Sequence, residues 1–123
     1  MATTQVTGKS FEEIVESNDI VLIDFWAAWC GPCRSFAPTY EKVSEEFPDI
    51  VFAKVDTEAE QGLASSFNIM SIPTLMIIRQ NVVLYSQAGA LPERALVELV
   101  EKVRDVDMQE VHRQVLEQQS ANS

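Results

Sequence analysis

A chain of 123 residues, 46% hydrophobic and 23% charged, fits one globular domain whose core is large enough to need no cross-links. Its formal net charge of -10 argues against nucleic acid as a partner, because phosphates are bound by Lys and Arg that displace counterions. No apolar run is long enough to span a bilayer, and Met1 to Ser10 lacks the basic start and apolar centre of a secretion signal, so the default expectation is a cytoplasmic protein with no membrane partner.

In chain order, Ser10 and Glu13 have capping-box spacing ahead of Phe11, Ile14 and Val15, which predicts a short amphipathic helix. Ile20 to Trp26 is a nearly continuous apolar run, interrupted only by Asp24, and reads as a central strand covered on both faces. After a turn over Trp29 to Cys33, Phe36, Tyr40, Val43 and Phe47 recur every three or four residues, predicting a helix that ends before Pro48 and is kinked at Pro38. Ile50 to Val55 reads as a second buried strand that carries Lys54, and Glu58 to Phe67 as a helix with Leu63, Ala64 and Phe67 on one face. Two strands, Thr74 to Ile78 and Val82 to Ser86, flank Arg79, Gln80 and Asn81 as an antiparallel hairpin. Gly89 then precedes a helix with Pro92 in its first turn and Leu96, Leu99, Val100 and Val103 on its buried stripe. The pattern is that of an α/β fold, a mixed sheet with helices on both faces. From Asp105 onward the stripe thins to Met108, Val111, Val115 and Leu116 before a polar end, which suits either a fraying helical extension or a helix that docks in a partner's groove.

The chemistry concentrates on Cys30 and Cys33, two residues apart, a spacing used for half a metal site, a small structural disulfide or a redox pair. Structural zinc normally takes four Cys or His ligands, and the only His, His112, lies far away in the thin tail. A cross-link closing so short a loop adds little stability, because the entropy removed from the unfolded chain grows with loop length. The redox reading carries a mechanism of its own. With Cys30 at the end of the strand turn and Cys33 inside the helix, the first thiol meets unpaired N–H groups and the positive end of the helix dipole, which favour its thiolate. Pro32 suits the opening turn and stiffens it, while Arg34 either adds a positive charge or is a solvated surface side chain. Asp24, a carboxylate in an apolar strand, is costly to ionise, so its pKa should rise until it exchanges protons near neutrality. Neutralisation by Lys54 on the next strand is a second reading, and the two are compatible.

The segment Phe25-Trp26-Ala27-Ala28-Trp29-Cys30-Gly31-Pro32-Cys33-Arg34 resembles the active-site stretch of the thioredoxin family. Lys54-Val55-Asp56, Ser71-Ile72-Pro73-Thr74 and Gly89-Ala90 resemble further landmarks of that family in the same order, up to about Arg104. The resemblance implies a thioredoxin fold over residues 1–104, an extension over 105–123, and a protein-disulfide reductase that needs no cofactor and no metal. In that scheme Cys30 attacks a client disulfide and Cys33 resolves the mixed disulfide, with Asp24 as its general base beside Lys54. Trp29, Gly31, Pro32, Ile72, a cis Pro73, Gly89 and Ala90 would line the docking surface, and Trp26 would belong to the core. The implied partners are a thioredoxin reductase and diverse disulfide-bearing client proteins, met by a monomer. Arg34 and Asn81 depart from the Lys and Gly often found there. An oxidant or isomerase of the same fold generally carries His where Pro32 stands, and a redox-sensing interaction module acting through the tail remains the alternative.

Overall fold

The computed structural model describes residues 2–121. Seven consecutive residues form the central strand, β2 (Ile20–Trp26), and all but Trp26 are buried. Side chains alternate along it, so Ile20, Leu22 and Asp24 face one layer of helices while Val21, Ile23 and Phe25 face the other. Both faces are therefore covered, as the nearly continuous apolar run requires, and each fully buried Leu, Ile or Phe contributes about 1.5–3 kcal/mol.

On one side β2 pairs in parallel with β3 (Val51–Asp56), which pairs in parallel with a short edge strand, β1 (Thr3–Gln5). On the other it pairs antiparallel with β4 (Thr74–Arg79), followed by β5 (Val82–Ala88) at the opposite edge. The order across the five-stranded sheet is β1-β3-β2-β4-β5. Helices α2 (Gly31–Glu46) and α4 (Glu93–Arg104) cover the Leu22 face through Phe36, Tyr40, Val43, Leu96 and Val100. Phe11 and Val15 of α1 (Phe11–Ser17), with Leu63 and Phe67 around α3 (Gln61–Ser66), cover the face of Ile23.

Several sequence expectations need correction. Ser10 occupies the N-cap position of α1 but makes no capping bond, because its hydroxyl accepts from the Thr7 amide (3.0 Å) inside the preceding turn. Helix α3 starts at Gln61, three residues late: the Asp56 carboxylate accepts from the amides of Glu58 and Ala59 and holds them in a turn. The hairpin loop is two residues, Gln80 and Asn81, both at positive φ (52° and 67°), so Arg79 belongs to the strand. Pro92 is the N-cap of α4 rather than part of its first turn. Strand β1 was not foreseen; it is three mostly exposed polar residues, and only its pairing with β3 makes it a strand.

The tail forms a separate fourteen-residue helix, α5 (Met108–Ala121), capped by Asp107, whose carboxylate accepts from the Glu110 amide (3.2 Å). Met108 is buried and Val111 and Val115 are half-buried, so most of the thin stripe is used within this chain and only Leu116 stands exposed. Arg79 closes the junction, donating through Nη1 to the carbonyls of Val103 (2.7 Å), Arg104 (3.1 Å) and Val106 (3.3 Å), where the end of α4 offers few backbone donors. His112 of α5 hydrogen-bonds the Gln80 side chain (2.8 Å), which fixes the helix to the hairpin turn.

Candidate active site

Where β2 ends, the chain turns through Ala27 to Trp29 and enters α2 with Cys30 as its N-cap. Cys30 is extended (φ −87°, ψ 114°), and its sulfur accepts the backbone N–H of Cys33 (3.2 Å), one of the donors that a helix start leaves without a partner. Cys30 and Cys33 are joined as a disulfide with Cα atoms 5.3 Å apart, and both are buried. The sixteen-residue helix directs the positive end of its dipole at the first sulfur, and its first turn carries no acidic residue to oppose it. That is the setting in which a thiol of the reduced pair ionises readily.

The structure brings a second chain segment against this pair. Ala27, Cys30 and Cys33 form a small buried cluster with Trp26 and Ile72 packed on it. The Ile72 carbonyl oxygen lies 3.8 Å from the Cys30 sulfur, and the Ile72–Pro73 peptide bond is cis. Gly89, at φ +104°, where a side chain is strained, donates its N–H to the Pro73 carbonyl (2.8 Å) and ties the end of β5 to the same loop. Ala90 follows it, exposed. Gly31 is half-buried at the first helical position, and a Cβ there would meet nothing nearer than Arg34 at 4.0 Å, so packing within the chain does not demand glycine. Pro32 is exposed beside it. Arg34 reaches back and donates to the Ala28 carbonyl (2.8 Å), bracing the turn that precedes Cys30.

Trp29 stands 67% exposed on the rim. Its indole N–H donates to the Glu58 carboxylate, a partner that sequence reasoning missed because only the Asp56 turn brings it there. Trp26, expected in the core, is half-buried against the cysteine cluster, and its indole N–H has no partner among the described residues.

Asp24 lies on the α2-facing side of β2, 1% exposed, and neither carboxylate oxygen has a hydrogen-bond partner among the described residues. Burial lifts its pKa from 3.8 to about 6, partly offset by the positive charge of Lys54. Lys54 is the register partner of Asp24 on β3, yet its ammonium sits over the Trp26 ring, 5.0 Å from the centroid, and forms no ion pair with the carboxylate. Neutralisation by Lys54 therefore acts at a distance. Tyr40, whose pKa is raised by burial and then by the charge of Asp24, commits its hydroxyl to the Ala53 carbonyl (2.8 Å). Among the described residues no three His, Cys, Asp or Glu side chains gather as metal ligands, and His112 is remote on α5.

A family model described as Thioredoxin matches residues 2–102. The chain belongs to the thioredoxin family. A Streptomyces coelicolor protein named as a candidate thioredoxin 2 is 53% identical over 119 residues, covering 97% of this chain and 89% of that one. Thioredoxin from Bacillus subtilis is 40% identical over 103 residues, 83% of this chain and 98% of its own length. The crystal structure of spinach chloroplast thioredoxin F superposes with a TM-score of 0.77 at 34% identity, covering 84% of this chain and 94% of that one. As a thioredoxin, the chain is a thiol–disulfide oxidoreductase, and Cys30 and Cys33 are its redox pair. Among the described residues no helix is long and apolar enough to cross a membrane.

Proposed function

We propose that the chain reduces disulfides of client proteins through the following division of labour. The Cys30 thiolate attacks one sulfur of the client disulfide, an S–S bond forms to Cys30, and the first client thiolate leaves. Cys33 gives up its proton to the Asp24 carboxylate and attacks the Cys30 sulfur. The second client thiolate then departs and Cys30–Cys33 is left as the disulfide, the client having gained two electrons. Asp24 suits this duty because a carboxyl with a pKa of about 6 is poised to take and return a proton near neutrality, and Lys54 keeps it from rising further. Trp29, Gly31, Pro32, Ile72, Pro73, Gly89 and Ala90 form the docking surface, with the Ile72 backbone available to an extended client segment.

The observation that carries this reading is the position of Cys30: N-cap of α2, sulfur against the Cys33 amide, and beside the cis-proline loop. A thioredoxin reductase restores the dithiol, and the protein works as a monomer in the cytoplasm, where a reducing milieu keeps the pair available for electron transfer. Residues 1–104 form the catalytic domain and 105–123 an appended extension, since none of the site residues lies beyond Ala90. Insulin reduction tests the scheme: Cys30→Ser abolishes it, Cys33→Ser traps a client-bound mixed disulfide, and a wild-type chain with no activity on insulin would refute it.

A further inference from the structure

The loop that leads into Ile72–Pro73 carries Met70, whose side chain is 92% exposed, more open than Trp29. Met70 lines a groove of about 170 Å³ together with Phe67, Ile69, Ser71, Gln87 and Ala88. The groove is continuous with the docking surface: Ala88 pairs with Thr74 beside Pro73, and Met70 lies two residues ahead of the carbonyl that faces Cys30. Its surroundings are also unlike the rest of this acidic chain. From Gln61 to Ile78, and again from Gln80 to Pro92, there is no Asp, Glu, Lys or Arg. A partner segment entering the groove meets no charged residue in its lining and an unbranched, polarisable thioether that adapts to apolar side chains.

We propose that Met70 is a peroxide-sensitive contact of the docking surface, and that its oxidation weakens the hold on an apolar client segment while leaving the cysteine chemistry intact. The proposal rests on the reading of the Ile72–Pro73 loop as the place where clients dock. A hydroperoxide gives one oxygen atom to the Met70 sulfur: its O–O bond breaks, an S–O bond forms, the thioether loses two electrons to become a sulfoxide, and water or an alcohol leaves. The product places a hydrated dipole where an apolar client side chain has to pack, and stripping that water opposes docking. Access selects the site, since Met76 and Met108 are only 2% and 8% exposed. The resting disulfide spares the cysteines, because a bonded sulfur offers no thiolate to the peroxide.

The experiment treats the oxidised protein with hydrogen peroxide, removes the peroxide, and follows insulin reduction and reduction of a small aromatic disulfide, with oxygen uptake located by peptide mass spectrometry. Each protein is compared before and after treatment. In the wild type, Met70 gains oxygen well before Met76 and Met108, and KM for insulin rises about fivefold, the low end for covering an unpaired polar group. Its kcat, and turnover of the small disulfide, stay within the error of the untreated protein. Met70→Leu, which keeps Trp29 and Met1, shows no change in its own KM on treatment, and Met70→Gln starts from a raised KM. Uptake no faster at Met70 than at the buried methionines would overturn the proposal, as would an equal rise of KM in Met70→Leu. An untreated protein that turns over the small disulfide but not insulin would instead refute the client-reductase reading, and with it this one.

Discussion

The two ends of the sheet treat polar groups in opposite ways. At the end where β2 runs out, the Asp24 carboxylate and the Trp26 indole N–H are buried without partners among the described residues, while Trp29 and Met70 stand in solvent. At the far end Arg79 supplies three carbonyls and the Asp19 carboxylate, Gln80 bonds Asp19 and His112, and Arg104 grips Asp49 over the Phe47 ring. An unpaired buried group costs stability and gains reactivity, whereas a paired one does the reverse. The molecule therefore concentrates its unsatisfied groups where chemistry needs them and closes the other end.

The sharpest way to break the contrast is at the reactive end, where Cys30→Ser should reduce insulin turnover to background with the fold intact by circular dichroism. Asp24→Asn should slow resolution by Cys33 about a hundredfold, the usual scale for a positioned proton acceptor, measured as persistence of the mixed disulfide. The same variant tests the energetics. A folded pKa of about 6 against 3.8 means that folding favours the protonated carboxyl, so its stabilising effect is full below about pH 3.8 and is lost as pH rises through 6. The loss amounts to about 3 kcal/mol by pH 7.5, and Asp24→Asn should remove that slope from denaturant titrations between pH 4 and 7.5. At the far end the effects should fall on stability alone. Arg79→Ala, which removes one donor shared by three carbonyls, should cost about 2 kcal/mol in urea unfolding with turnover per folded molecule unchanged. The smallest effect belongs to Asp107→Ala, about 1 kcal/mol for a lost N-cap, read as faster amide exchange in the first turn of α5.

The same division explains how much of the structure was legible in the sequence. Strand β2 and helix α2 follow from long patterns, an apolar run interrupted only by Asp24 and a three-four periodicity, and the cysteine spacing marks the junction between them. Local side-chain bonds hid the rest. Ser10 has the right spacing to cap α1, but Thr7 takes its hydroxyl, and Asp56 delays α3 by wrapping its carboxylate around the next two amides. Glu58 could not be assigned to Trp29 from spacing, since 29 residues separate them and only the fold of β3 and its turn closes the distance. The burial of Asp24 was readable from its neighbours, whereas the displacement of Lys54 toward the Trp26 ring was not, because register places residues opposite each other without fixing where a long side chain comes to rest.

Strand β4 links the two ends, with Pro73 just before it and Arg79 as its last residue, and everything between Thr74 and Ile78 is buried. Six residues of close-packed strand set the two ends about 20 Å apart. Trimming what is fastened to its far end should therefore leave the geometry of the redox pair intact.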